Sequence, residues 1–476
     1  MSVPAASPTP ASPRAAISLP AILGVLAVSL LLALLVNEWV GVAALALGFV
    51  LVTRPFDPFI AILLATSAAA FAAYGERSIQ RDLAIVLALS LYAAAAFWTT
   101  WLARRWTLPR TRFTIALGAL AATTALAVVH GVAVRNPIPY LALELFPLAS
   151  LAFALVIGGL RPSPADLRIA GWTIAVVGLL SAAAGFISFG TTGIRTGGMA
   201  FSPIPGFAAL VVLSLALFDP ARRPRLLPVL AFCVLIAHQV VTFTRGYWFG
   251  LIVGVPLICA LYARRGAGSR PRWSKVGSTL GLAALLLAVG GLAALTQPRW
   301  AEIVQLLGNR FASSFETKNT PETVSNLARL VEIRTTWKAI TASPLIGHGE
   351  GATIVVRQFF HTDFAGPQWW IHQGYVMMWF KQGVIGLLAL LWLLYVAFRM
   401  GLDGATRAEP HLAGWSVAAA ACTLFAVIVG LTNYFFFVVS QSFMLAFVWG
   451  VALTGTKPSF TRIRWRAPRG ADASQG

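Results

Sequence analysis

A bundle of membrane-spanning helices is the fold this sequence predicts, and three observations predict it. Hydrophobic residues fill 58% of the 476 positions and charged ones 11%, at mean hydropathy +0.78, whereas a water-soluble domain carries about 25% charged residues. Apolar runs recur from Ile17 to Thr454, most of them near the twenty or so residues that cross roughly 30 Å of hydrocarbon as a helix. Basic residues cluster in alternate loops, as positive-inside sorting requires. This composition excludes a soluble enzyme. The net charge of +20 carries less information than its placement, and no nucleic-acid partner is expected.

Residues 1–16 are mostly Pro, Ala and Ser with a single charge at Arg14, a composition that cannot bury a core and predicts a disordered cytoplasmic tail. The run Ile17–Val36 is too long for a typical signal-peptide core and lacks a clear small-residue cleavage site, so it is expected to stay as the first span. Further spans are predicted near 39–53, 58–74, 83–102, 113–131, 140–160, 169–188, 203–218, 226–243, 247–262, 276–296, 374–398, 412–432 and 434–454. The short 39–53 run is the weakest, and losing it with its partner leaves twelve spans instead of fourteen. With the N-terminus cytoplasmic, 23 of the 36 Lys and Arg fall on the cytoplasmic side and only Arg77, Arg81, Arg135, Arg195 and Arg245 in short loops opposite. Both termini are therefore expected in the cytoplasm. The chain divides into a tail (1–16), an N-terminal transmembrane bundle (17–296), a long extracytoplasmic loop (297–371), C-terminal transmembrane helices (372–454) and a basic tail (455–476).

Cys233, Cys259 and Cys422 all fall inside predicted spans, so neither a disulfide framework nor a thiolate zinc site is available. No internal repeat is visible at the level of motifs, which counts mildly against a secondary transporter.

The 297–371 loop is far longer than any other connection and is expected to fold. Trp300, Ile303, Val304, Leu307 and Phe311 recur at helical spacing, as on a helix lying against the membrane or the spans. A second helix is better marked: Thr320 as N-cap and Pro321 at the first position, with Val324, Leu327, Val331 and Ile340 on one face and Glu322, Ser325, Asn326 and Arg329 on another. Ser343-Pro344 ends it. Gly347-His348-Gly349 reads as a flexible turn, and His361, Asp363, Trp369, Trp370 and His372 lead to the next span.

Polar groups at the ends of apolar spans are costly and tend to be functional. Arg195 lies in a Gly/Thr loop with no other charge, Arg245 joins two spans through almost no loop, Arg329 comes from the long loop, and His372 precedes Tyr375 at a helix start. Forked guanidinium donors suit phosphate oxygens, and two or three converging can hold a diphosphate without a metal. Competing readings stand beside these: a lone interfacial Arg also snorkels to headgroups, Arg329 also fits a solvated helix face, and His372 also fits a capping role. Trp369 and Trp370 fit an interfacial belt as well as a sugar-stacking platform. His348, Glu350, His361 and Asp363 match no strong metal motif in their spacing.

Taken together, Arg195-Thr196-Gly197-Gly198 with Pro203, Thr242-Phe243-Thr244-Arg245-Gly246, Ser325-Asn326-Leu327-Ala328-Arg329 with Trp337, Pro344-Leu345-Ile346-Gly347-His348-Gly349, and His372-Gln373-Gly374-Tyr375 with Gly383 and Gly386 resemble the O-antigen ligase and O-antigen polymerase family. The resemblance covers roughly residues 190–400 and lies in the combination of short motifs. It implies a helical membrane glycosyltransferase of the C superfamily in a bacterial inner membrane. The implied donor is a glycan on undecaprenyl diphosphate at the periplasmic face, with no metal or other cofactor. The implied acceptor is lipid A core or a second lipid-linked glycan, with membrane lipids and a chain-length regulator as further partners. By the same resemblance Arg195 and Arg245, assisted by Arg329, hold the diphosphate, and His372 activates the acceptor hydroxyl. Tyr375, Trp369, Trp370 and His348 are the candidate acceptor or sugar contacts. Two departures, Gln373 where the family often has Asn and Lys381 where it often has an acidic residue, leave the acceptor open. So does the family's range of ligases, polymerases and protein oligosaccharyltransferases.

The rival readings are weaker. A flippase or other transporter is expected to carry charges deep in several spans, whereas Lys381 alone lies deep here. A metal-dependent transferase using a lipid monophosphate sugar needs acidic residues in the first extracytoplasmic loop, which is Asn37-Glu38-Trp39.

Overall fold

The computed structural model describes residues 111–160, 162–192, 203–218, 225–242, 244–265, 273–295, 321–356 and 367–455, with Leu108, Pro109, Gln305 and a few positions between 59 and 67. These form an all-α, multi-pass membrane protein. In chain order the helices are α1 (Arg112–Ala133), α2 (Ile138–Ser150), α3 (Phe153–Leu160), α4 (Pro164–Thr192), α5 (Ile204–Phe218), α6 (Leu226–Val241), α7 (Arg245–Arg264), α8 (Trp273–Leu295), α9 (Pro321–Ala342), α10 (Gly374–Arg407), α11 (Pro410–Gly430) and α12 (Val439–Thr454). Among the described residues seven helical stretches, with α2 and α3 counted as one, are long and apolar enough to cross a membrane, and α5, α6 and α12 are shorter apolar helices.

Every span predicted from 113–131 onward meets a helix, because in an apolar solvent the backbone can satisfy its N–H and C=O groups only within the helix itself. The four earlier spans and the first helix expected in the long loop fall outside the described residues, apart from a few buried helical positions such as Phe59 and Ile62. The second loop helix begins at Pro321, as its sequence signals predict. Its inner face differs from the expected one: Glu332, Thr336 and Ile340 are buried, whereas Leu327, Leu330 and Trp337 are exposed.

The centre of the bundle is α11, with α5 and α12 against it. Val417–Cys422 of α11 is a run of small residues at 0% exposure, which lets neighbouring backbones approach closely. Gly401 and Gly404 of α10 press on Ser416 and Ala420 of α11. At the end of the bundle carrying the α7–α8 connection, basic side chains close helix ends: Arg265 donates to the carbonyls of Ala405 (3.0 Å) and Ala408 (2.6 Å), and Lys275 Nζ to that of Leu217 (2.9 Å). Cations suit the C-terminal ends of helices.

The candidate site lies at the other end. Chain direction brings the end of α1, the α6–α7 turn, the start of α10 and the α11–α12 turn to that end.

Candidate active site

His372 stands two residues before α10. Its ring Nδ1 is 2.9 Å from Glu332 Oε2 of α9, and its backbone N–H donates to the same oxygen at 3.3 Å. The Glu332 side chain is 1% exposed and that of His372 34%. A carboxylate accepts, so Nδ1 carries the hydrogen, and in the neutral imidazole the lone pair is on Nε2. Glu332 thus holds the His372 ring and backbone through one carboxylate oxygen. The sequence reading missed it because it lies on the helix between Arg329 and Trp337, where the apolar pattern places the inner face elsewhere. The available signal was an acidic residue one helical turn beyond Arg329, in a chain with only 16 Asp and Glu.

Arg245 is the first residue of α7 and half-buried. Gly246 beside it packs so closely on Thr432 and Val429 that a Cβ there would collide with the Thr432 hydroxyl. The Tyr247 hydroxyl faces Asn433 Nδ2 at 3.4 Å. The same turn receives α10, whose Gly374 N–H donates to the Asn433 carbonyl at 3.1 Å. Two helix N-termini, one led by Arg245 and one by His372, therefore meet on residues 432–433. Helix N-termini favour anions through their uncommitted N–H groups and dipole.

The loop after α9 is not a flexible turn. α10 breaks at Gly383, whose φ of 69° only glycine adopts comfortably. The residues after α9 dock into the gap: His348 N–H donates to the Phe380 carbonyl (2.9 Å), Gly349 N–H to that of Lys381 (2.9 Å), and Val384 N–H to that of Pro344 (2.9 Å). Gly347, at φ 71°, passes against this backbone with no room for a Cβ. Below it lies a fully buried cluster. Lys381 Nζ pairs with Glu144 and the Ala352 carbonyl. Glu144 Oε2 accepts from Gly351 N–H at 2.5 Å, and Glu350 Oε1 from Gln382 Nε2 at 2.6 Å. Asn136 closes the end of α1 by donating to the carbonyls of His348 (3.0 Å) and Glu350 (2.9 Å). Lys381 is therefore not the lone deep charge the sequence implied: Glu144 of α2 meets it.

The remaining candidates separate. Arg195, His361 and Asp363 lie outside the described residues. Arg329 is half-buried one turn before Glu332 on α9. His348 Nε2 meets the Ala339 carbonyl at 2.8 Å, which ties it to α9. The Tyr375 hydroxyl donates to the Val427 carbonyl at 2.9 Å, which commits it to the bundle. Among the described residues no three His, Cys, Asp or Glu gather as a metal site.

Trp369 and Trp370 follow a two-residue antiparallel pairing of Ile354 with Gln368 and Val355 with Pro367. Trp370 meets the His372 ring edge-to-face at 4.7 Å and Tyr434 at 5.4 Å. Trp369 stacks on Tyr140 at 6.2 Å and meets Tyr434 edge-on at 6.4 Å. Tyr140 and Tyr434 were not singled out in the sequence, one being the third residue of α2 and the other falling at a predicted span start.

Residues 230–391 match the model of a family described as O-antigen ligase. The matched stretch runs from α6 through the α10 break and holds Arg245, Arg329, Glu332 and His372. It bears out the resemblance read from the motifs and supports a membrane transferase acting on glycans. No curated protein matches the chain.

Proposed function

We propose that this protein transfers a glycan from undecaprenyl diphosphate to an acceptor hydroxyl at the periplasmic face of a bacterial inner membrane, as an O-antigen ligase does, without a metal. The observation that carries this reading is the His372–Glu332 pair meeting the Arg245 helix start across the turn at Asn433. In the proposed reaction the acceptor oxygen attacks the anomeric carbon as its proton passes to His372 Nε2. The bond from that carbon to the phosphate oxygen breaks with inversion, and its electron pair leaves on the diphosphate. Arg245, with Arg329 and Arg195, takes up that charge through forked donors. Glu332 holds the imidazole in its accepting tautomer and stabilises the imidazolium that forms, a pairing whose base contribution is typically 10²- to 10⁴-fold.

The test is the size distribution of glycan on the lipid carrier and on the cell-surface acceptor, in cells whose only copy carries His372→Ala. Long chains stranded on the carrier beside a bare acceptor are expected. Single repeat units on the carrier would instead identify a polymerase, and an unchanged distribution would overturn the proposal.

A further inference from the structure

α9 and the first turns of α10 run side by side in the same direction. Glu332 meets His372 (2.9 Å), the Trp337 ring meets that of Trp379 edge-to-face (5.2 Å), and the Pro344 carbonyl accepts from Val384 N–H (2.9 Å). α9 therefore descends beside α10 instead of lying across the end of the bundle. The depth it reaches follows from α10 and from α1 separately. About twenty residues of helix cross the hydrocarbon of a bilayer. Counted back from Arg399, the next charged residue of α10 after the buried Lys381, they begin at Trp379, a residue type enriched at membrane boundaries. Gly383 then lies roughly 6 Å inside, at about 1.5 Å of rise per residue. On α1, the Ala127 carbonyl accepts from Glu350 N–H (3.0 Å) and the Thr123 hydroxyl donates to Gln382 Oε1 (3.2 Å), at levels roughly 9 and 15 Å below the helix end at Ala133. Both helices thus put residues 344–350 inside the hydrocarbon.

We infer that α9 and the turn after it are a re-entrant element whose outer face is covered by phospholipid of the leaflet at this end of the bundle, acyl chains below and headgroups above. Leu345 and Ile346, whose backbone presses on Gly383, are 62% and 58% exposed. They stand at the level where α10 begins its own exposed apolar face of Ile385, Leu388 and Leu391. Facing water, such a pair is costly; facing acyl chains, it is not. Above it, one face of α9 carries Leu330, Arg334, Trp337, Lys338 and Thr341, all exposed. Apolar and aromatic side chains flanked by cations suit a helix surface lying among anionic headgroups. Irregular backbone survives at membrane depth only where protein satisfies its polar groups, and the turn meets that condition. Gly347 N–H donates to the Ser343 carbonyl (3.1 Å), the Ser343 hydroxyl to that of Gly347 (2.7 Å) and Trp379 Nε1 to that of Pro344 (3.0 Å), while His348 and Gly349 N–H groups donate to α10. The loop expected to lie wholly outside the membrane returns to it before α10 begins. Since α9 also carries Arg329 and Glu332, its hold on the leaflet fixes their height beside His372.

The test is spin labelling of the full chain in nanodiscs of phosphatidylethanolamine and phosphatidylglycerol. Cys233, Cys259 and Cys422 are buried, so a label on an introduced surface cysteine reports one place. Leu330→Cys and Ile346→Cys are compared with Arg135→Cys, in the exposed turn after α1, and with Ile385→Cys, on the apolar face of α10. Leu345→Cys takes the place of Ile346→Cys if that variant does not fold. Power saturation gives the accessibility of each label to oxygen, which concentrates in hydrocarbon, and to a nickel chelate, which stays in water. The oxygen-to-nickel ratio at position 346 should match that at 385 and exceed that at 135 by roughly tenfold, with 330 in between. A ratio at 346 equal to that at 135 would mean an aqueous loop, and protection from both reagents would mean a covering segment or a second copy of the chain. Either result overturns the inference, as does a label at 330 that reads deeper than one at 346. No turnover is measured, so these outcomes stand apart from the fate of the His372→Ala enzyme.

Discussion

In the proposed mechanism His372 and Glu332 divide the work of one base between two segments, and each has its own signature when removed. Replacing the carboxylate by an amide of the same shape preserves packing but removes the charge that stabilises the imidazolium. Glu332→Gln should lower kcat by roughly a hundredfold or more with little change in the KM for donor, whereas a purely structural Glu332 would change stability and leave kcat intact in the folded fraction. Arg245→Lys retains charge and loses the fork, so donor turnover should fall by roughly ten- to a hundredfold; full activity would mean that charge alone suffices. At this scale the site was half legible. His372 and Arg245 stood out because polar groups at the ends of apolar spans are hard to explain otherwise. Glu332 did not, because an amphipathic pattern reports which face is apolar, and here the face turned inward carries the carboxylate.

At the scale of elements, the break in α10 and the loop docked into it form one device. The buried Lys381–Glu144 pair beneath it joins α10 to α2, and removing one partner leaves the other's charge without compensation, which costs about 3–5 kcal/mol. Lys381→Met should therefore lower the unfolding temperature sharply, and adding Glu144→Gln should recover part of the loss; equal behaviour of the single and double variants would show that the pair is not the source. The spans were legible one by one because the bilayer demands length and apolarity. The break was not, since glycine inside a membrane helix is common and only a distant partner for Phe380 and Lys381 reveals its use. The same holds for Gly347–Gly349: a glycine-rich stretch reads as flexible until the backbone it presses against is known.

For the whole molecule, ten predicted spans meet helices in their predicted order. Apolar packing accounts for most of the core, and two polar assemblies stand out at one end of the bundle: the buried cluster and the His372 site. Positive side chains are the expected source of the charge stabilisation that a metal gives other transferases. Transfer by the purified protein should accordingly be unchanged after exhaustive treatment with a strong chelator; loss of activity restored by a divalent cation would return the chemistry to a metal.

The dependence of α10 on Asn433 also bears on the order of biosynthesis. A ribosome delivers Arg245, Arg329, Glu332 and His372 well before it delivers the α11–α12 turn, yet that turn receives both Gly246 and Gly374. A nascent chain halted at Gly430 already owns every proposed catalytic side chain and the His372–Glu332 contact, yet it lacks the turn on which the Arg245 and His372 helix starts meet. Alignment of the two helix starts therefore waits on the last few dozen residues translated.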